Sequence, residues 1–546
     1  MLYRGQNEQT KARRNQVLNY LIKNAKIIDG SGKPYYLGNV GIKDGKIVLI
    51  NKDEEAEKII DADGRYVVPG FIDAHSHGDF ILGSEDARVF KTNQGITTEL
   101  AGHCGSSMAP VNPETITDLK NLLMTGTNWF SDDMHSWTTF EKYLQYAESQ
   151  PKSANIRFFV GHNALRIAVM GMENRPATKK EIDMMKGMLR EAMESGASGF
   201  STGLIYTPSC YAEKEEVLEL AKVIAPFGGI YSSHMRNESE NVVESVEEVI
   251  NVGRKAGVSV DISHHKILGK KNWGMQKETL RLIHEANAEG IRVFCDQYPY
   301  TRCMTTINTC MPPWHLDGGY DALCEKLKNS DFRKQLKSEM EDPSTPYDNF
   351  FLNAGGWDGV YVYCADETPE AEGLFISEYA KNIGKDEWTA FFDLCVANNC
   401  RVGGVFSSMC DEDVCEIIRD PYCVVGTDGV TRSLKEKGHP RAMATFPRAI
   451  TYFVKEKGIL TLEQAIHKMT GLTAEFMRVK NKGLIKDGYD ADLVIFDYDR
   501  LSDEATYSDS NKVTEGIDYV IVNGEIVYKD KKFTGKYSGK VIRYNL

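Results

Sequence analysis

Eight short apolar runs, each ending in polar residues, constrain this chain more than any other feature. They are VVPGFIDAHSH (67–77), ITTELAGHC (96–104), NIRFFVGHN (155–163), ASGFSTG (197–203), GIYSSHM (229–235), VSVDISHHK (258–266), IRVFCDQYPY (291–300) and CVVGTDG (423–429). Between most of them lie stretches whose apolar residues recur near 3.6 spacing, such as KKEIDMMKGMLREAMESG and SENVVESVEEVINVGRKAG. Continuous apolar strands alternating with amphipathic helices predict an α/β fold, a (β/α)₈ barrel of TIM-like form. The seventh and eighth runs are more than a single crossover apart, so a subdomain is expected at about 305–400, on the side of the barrel mouth.

The two ends of the chain read differently. Residues 20–50 and the last 65 or so alternate β-rich runs with Asp-Gly and Asn-Gly turns, as in GLIKDGYDADLVIFD and DYVIVNGEIVYKDKKF. They predict a small β-sandwich built from both ends. The expected division is 1–66 and 481–546 for the β domain and 67–480 for the barrel.

A net charge of −13, from 65 basic and 78 acidic residues, argues against nucleic acid and anionic lipid as partners. No run approaches the roughly 18 apolar residues of a membrane span. The N-terminus MLYRGQNEQTKARRNQ lacks the apolar core of a secretory signal. The expected setting is cytoplasmic, where the 12 scattered cysteines stay reduced. Oligomeric state is not legible.

Barrels of this kind place chemistry at the carboxyl ends of their strands. His75 and His77 are alternate residues closing the first run, so both imidazoles can face one metal. Cys104 sits between Gly102 and Gly105 at the second strand end, and a thiolate is a strong zinc ligand. His234 and His264 close the fifth and sixth strands. His265 must point away from His264 and is read as packing or support. Asp428 ends the last strand, where a carboxylate beside a metal-activated water can accept and return a proton. His162 lines the mouth or makes a structural hydrogen bond.

These residues and their flanks, PGFIDAHSHGD, GITTELAGHCGSSMAP, GHNALR, GASGFSTGLIYTPSCYA, YSSHMRNE, ISHHKILG, VGTDG and GHPRAMATFPR, resemble the D-aminoacylase family (N-acyl-D-amino-acid deacylases) of the amidohydrolase superfamily. The resemblance spans nearly the whole chain. It implies a metal-dependent hydrolase that cleaves the amide bond of small-molecule N-acyl-D-amino acids. Cys104 matches the family's metal-bridging cysteine, where many relatives in the superfamily use a carboxylated lysine, and the fourth run GASGFSTG offers no lysine. The resemblance implies one tight zinc site of Cys104, His234 and His264, and a weaker second site of His75, His77 and Cys104. It makes Asp428 the general acid and base. Tyr206, Lys266 and Arg441 match positions that hold the substrate carboxylate, with Tyr298 as a lesser contributor. Two departures stand out. His103 occupies a position where asparagine is expected, and the loop GVTRSLKEKGHP before Arg441 is longer than the family form. An acidic substrate side chain would need further cations at the mouth, for which Arg302 is the candidate. The rival readings are a cyclic amidase of the dihydroorotase or hydantoinase type, and a barrel that has lost catalysis and serves as a scaffold.

Overall fold

A computed structural model describes residues 17–50, 54–84, 87–123, 132–430 and 437–544. The eight apolar runs all form strands of a parallel barrel. Six lie side by side in one sheet, in the order Cys423–Val425, Val293–Gln297, Ser259–Ile262, Ile230–His234, Gly199–Gly203 and Val160–Gly161. Three more segments, Phe71–Asp73, Ile96–Ala101 and Asn155–Phe158, make a second parallel sheet. The third barrel strand is interrupted at Phe159, whose N–H still donates to Ala101 O at 2.8 Å and so carries the barrel across the break. The other seam is closed by Ala74 N to Val425 O at 3.3 Å and Asp428 N to His75 O at 2.8 Å.

Strand periodicity sorts the barrel interior into layers, because every second residue points inward. Ile230, Phe294, Ile72, Leu100 and Val424 form an apolar floor with Phe159, Phe476 and Met477. Two residues further along, Ser232 and Asp296 make a polar middle layer. Two further still, His234 reaches the rim. The floor carries the hydrophobic stabilisation and leaves the strand ends free for chemistry.

The outer helices follow their sequence signals. Lys179–Ser195 starts with a Thr178/Glu181 capping box and stops at Gly196, whose φ of +106° suits glycine. Val242–Ala256 stops at Gly257, φ +71°. Among the described residues no helix is long and apolar enough to cross a membrane.

Both chain ends enter one nine-stranded sheet. Leu18–Ile27 pairs with Tyr36–Lys43 on one side and with Ala56–Asp61 and Tyr66–Pro69 on the other, and Tyr66–Pro69 pairs with Leu493–Phe496. The sheet turns back on itself around a core that joins Val40 and Ile47 to Leu493 and Ile521. We propose the division into an end domain and a barrel on this pairing, with the first join moved from 66 to just past Pro69. The inserted segment runs slightly beyond the expected 305–400 at both ends and holds an antiparallel sheet of Cys303–Thr306, Gly403–Phe406 and Val360–Cys364, with helices such as Gly319–Leu327. Its Met304, Thr305, Tyr320 and Tyr363 line the cleft over the barrel mouth.

Candidate active site

Two groups of metal-type donors meet at the barrel mouth. His75, His77, Cys104 and Asp428 have ligand atoms within 4.8 Å of one another, as do Cys104, His234 and His264. Cys104 belongs to both. Its Sγ lies 3.3 Å from His75 Nε2 and 3.3 Å from His264 Nε2. All these side chains are buried.

The backbone is bent to achieve this. Cys104, His264 and Asp428 have φ of +54°, +36° and +45°, the left-handed region that residues other than glycine rarely adopt. Three such residues in one site mark backbone held against local preference by its surroundings. Gly102 lets the cysteine loop approach, since a Cβ there would sit 2.3 Å from Phe159 O. His264 also turns left-handed just past the end of its strand. The strand ends at Ile262, so Lys266 does not share a strand face with His264. The turn brings its ammonium onto His264 Nδ1 instead.

The donor set suits a soft divalent cation. His234 has neither ring nitrogen hydrogen-bonded although it is buried, and His77 Nδ1 is likewise unpartnered. Buried polar atoms ordinarily find partners, so these nitrogens point to a missing ligand. Burial drives His75 down to about 3 and holds His234 and His264 well below the usual imidazole range. All three are therefore neutral, the form that ligates metal. Burial, with Asp428 nearby, pushes the Cys104 thiol up, so the thiolate requires a cation beside it.

Asp428 is differently placed. Its Oδ1 lies 3.3 Å from His77 Nε2 and 3.5 Å from His75 Nε2, and its Oδ2 pairs with Arg441 Nη1 at 2.9 Å. Burial works to raise its pKa, but the Arg441 guanidinium outweighs that and holds the carboxyl well below the usual range. It is an ionised proton acceptor.

The expected carboxylate-binding residues, Tyr206, Lys266, Tyr298 and Arg441, all line the cleft. Tyr298, Lys266 and Arg441 stand together. The Arg441 guanidinium lies 4.7 Å and the Lys266 ammonium 6.0 Å from the Tyr298 ring centre. The Tyr298 hydroxyl donates to Met409 Sδ at 3.8 Å. Tyr206 sits edge-on to His234, ring centres 5.0 Å apart, with its hydroxyl 2.8 Å from Thr305 Oγ1. Part of the long loop before Arg441, residues 431–436, lies outside the described residues, yet Arg441 reaches Asp428.

Two residues escaped the sequence reading. Glu238 Oε1 lies 2.7 Å from Lys266 Nζ and 3.2 Å from His264 Nδ1, and its Oε2 is 3.5 Å from His234 Nε2. Its position four residues after His234, in HMRNE, was the available signal. Asp296 Oδ2 lies 3.0 Å from His75 Nδ1 and fixes which ring nitrogen faces Cys104. A carboxylate inside the apolar run VFCDQ was its signal. Three other residues lie elsewhere. His162 meets Glu216 Oε1 at 2.8 Å and belongs to a buried pair with Arg166. His265 points away, to Thr279 Oγ1 at 2.8 Å. Arg302 is packed on Tyr507, 4.5 Å from its ring centre, and does not line the cleft. His103 stacks on His75 with ring centres 4.1 Å apart, and its Nδ1 meets Ser232 Oγ at 3.0 Å.

A parallel barrel with a buried histidine, cysteine and aspartate cluster at its strand ends defines a metal-dependent hydrolase. The model of the amidohydrolase family matches residues 58–328 and 413–528. A D-aminoacylase of Alcaligenes xylosoxydans xylosoxydans is 33% identical over 533 residues, 97% of this chain and 98% of the relative. An N-acyl-D-glutamate deacylase of the same organism is 34% identical over 94% of both chains. The crystal structure of an N-acyl-D-glutamate deacylase from Bordetella bronchiseptica, complexed with zinc and a phosphonate mimic of the tetrahedral intermediate, superposes with a TM-score of 0.81 at 31% identity, covering 97% of this chain and all of that one. The chain belongs to the amidohydrolase family, in its branch of D-aminoacylases and N-acyl-D-amino-acid deacylases.

Proposed function

We propose that this protein hydrolyses N-acyl-D-amino acids to a D-amino acid and a carboxylic acid. The observation that carries the reading is the pair of donor groups sharing Cys104, with an ionised Asp428 between His75, His77 and Arg441. The full-length similarity to deacylases of D-amino acids supports the D preference. A cyclic amidase is less well supported, because the fourth strand, GFSTG, offers no lysine to bridge two metals.

Cys104, His234 and His264 would hold a tightly bound zinc ion, and His75 and His77 with Cys104 a weaker second one. Zinc, when bound, supplies Lewis acidity towards the amide carbonyl and lowers the pKa of water towards about 7. Tyr206, Lys266 and Arg441, with Tyr298 contributing, orient the substrate through its free carboxylate. Asp428 takes a proton from the attacking water at its carboxylate and delivers it to the departing nitrogen. Arg441 keeps Asp428 ionised before attack. Glu238 and Asp296 orient His264 and His75. The setting is cytoplasmic and the partner a small molecule, with no nucleic-acid or membrane role.

The test is amine release from matched N-acetyl-D- and N-acetyl-L-methionine, leucine, alanine and glutamate by zinc-loaded protein. Hydrolysis confined to the D members is the expected result. No hydrolysis of either enantiomer with zinc bound would overturn the reading.

A further inference from the structure

Two cysteines of the inserted segment stand with their sulfurs in contact. Cys324 Sγ and Cys400 Sγ lie 3.2 Å apart. A disulfide bond measures about 2.05 Å, so the pair has to close by roughly 1 Å.

The backbone is arranged to bring the two together. Cys324 lies on the helix Gly319–Leu327, one turn after Tyr320. Cys400 follows the helix Glu387–Ala397, in a turn where Asn399 and Cys400 both take left-handed φ, +49° and +56°. Residues other than glycine rarely adopt that region, and two in succession need support from their surroundings. The support is present. Cys400 N donates to Cys395 O at 2.7 Å, and Asn308 Nδ2 donates to Cys400 O at 2.8 Å. The Asn399 side-chain amide donates to Asp321, three residues before Cys324 on the same helix, so the turn is anchored beside the thiol it meets.

The two thiols are not equivalent. Cys400 is fully buried, and its hydrogen bond with Cys324, together with burial, pushes its thiol up. The same hydrogen bond holds the Cys324 thiol below its ordinary value, against burial and Asp321, with the positive charges of Lys328 and Arg401 helping. Cys324 is therefore the better thiolate and Cys400 the proton donor. Cys324 also keeps 5% exposure, on a helix whose Asp321, Glu325 and Lys328 face solvent. Cys295 and Cys423, which are partners across neighbouring barrel strands, have no such exposure.

We propose that Cys324 and Cys400 form a reversible oxidation site, at which hydrogen peroxide joins the two sulfurs as a disulfide. The Cys324 thiolate attacks one peroxide oxygen, the O–O bond breaks, and hydroxide leaves to take up a proton, so that Cys324 becomes a sulfenic acid. Cys400 Sγ then attacks the Cys324 sulfur. The S–S bond forms, the S–O bond breaks, and the oxygen leaves as water with the Cys400 proton. Two thiols lose two electrons and two protons, and the peroxide is reduced to two waters. A dithiol reductant reverses the bond by exchange. The bond ties the helix that places Tyr320 in the cleft wall to the turn before Gly403–Phe406, and uses none of the metal-type donors.

The test treats zinc-loaded protein with a small excess of hydrogen peroxide, alkylates the remaining thiols and maps the peptides by mass spectrometry. A cross-link between the Cys324 and Cys400 peptides is expected, with a loss of about 2 Da that dithiothreitol restores. Cys400→Ser should abolish the cross-link and leave Cys324 as a sulfenic acid that dimedone captures. Cys324→Ser should abolish the cross-link and leave Cys400 without dimedone. Cys324 that stays open to alkylation while other thiols oxidise would overturn the proposal. So would a cross-link from either cysteine to a different partner, or dimedone capture at Cys400 in Cys324→Ser equal to that at Cys324 in Cys400→Ser. The wild-type map decides by itself if a serine variant does not fold.

Discussion

The two halves of the donor cluster share Cys104 and otherwise differ in what faces their imidazoles. On one side, His234 is buried with both ring nitrogens unpartnered, and the nearby Glu238 is engaged by Lys266 and His264. On the other, His75 and His77 both face Asp428, which is itself paired with Arg441. In the first half His234 has no hydrogen-bonded ring nitrogen, while His264 Nδ1 faces Lys266 and Glu238. The second already has a negative charge at its centre and a cation balancing it. The difference separates holding a metal from moving a proton within a single buried site.

The largest expected effect breaks the proton-moving half. Asp428→Asn should lower kcat by about 10²–10⁴-fold, the range of general acid–base catalysis, while zinc content stays unchanged. Loss of zinc in this variant would show that Asp428 is chiefly a ligand, and the contrast between the halves would fail. Arg441→Leu comes next. It removes the cation from a buried pair, for which a loss of about 3–5 kcal/mol in stability is typical, so thermal unfolding should shift down sharply. Arg441→Lys keeps the charge, and should recover the stability while raising KM for substrates with a free carboxylate.

Smaller changes sharpen the contrast. Glu238→Gln should weaken zinc binding about 10–100-fold, as loss of a carboxylate behind a ligating histidine does, with little change in kcat at saturating zinc. Asp296→Asn acts behind His75 and should leave the tight zinc unaffected, lowering only binding of a second ion. Equal effects of the two substitutions on the first ion would erase the distinction.

Much of this architecture is written in the sequence because it depends on periodicity. Apolar runs of barrel strands are continuous, and their polar ends carry the residues that reach the mouth, so His75, His77, Cys104, His234, His264 and Asp428 could be picked out in order. What periodicity does not encode is the backbone after each strand stops. His264 turns left-handed, and that turn rather than strand alternation puts Lys266 on its Nδ1. Glu238 and Asp296 escaped for a related reason. Each meets a histidine carried by another strand, a contact set by three-dimensional packing and not by spacing along the chain. Tyr66–Pro69 shows the limit at the domain join. It reads as the start of an apolar barrel run, yet its hydrogen bonds go to the end sheet.

Zinc content and amine release from an N-acyl-D-amino acid, measured side by side on wild type, His234→Ala and His77→Ala, test the central claim most directly. The account predicts that His234→Ala loses the tightly bound ion and the activity together, while His77→Ala keeps one ion per chain and loses activity in part. Retention of the tight ion in His234→Ala with its loss in His77→Ala would contradict it.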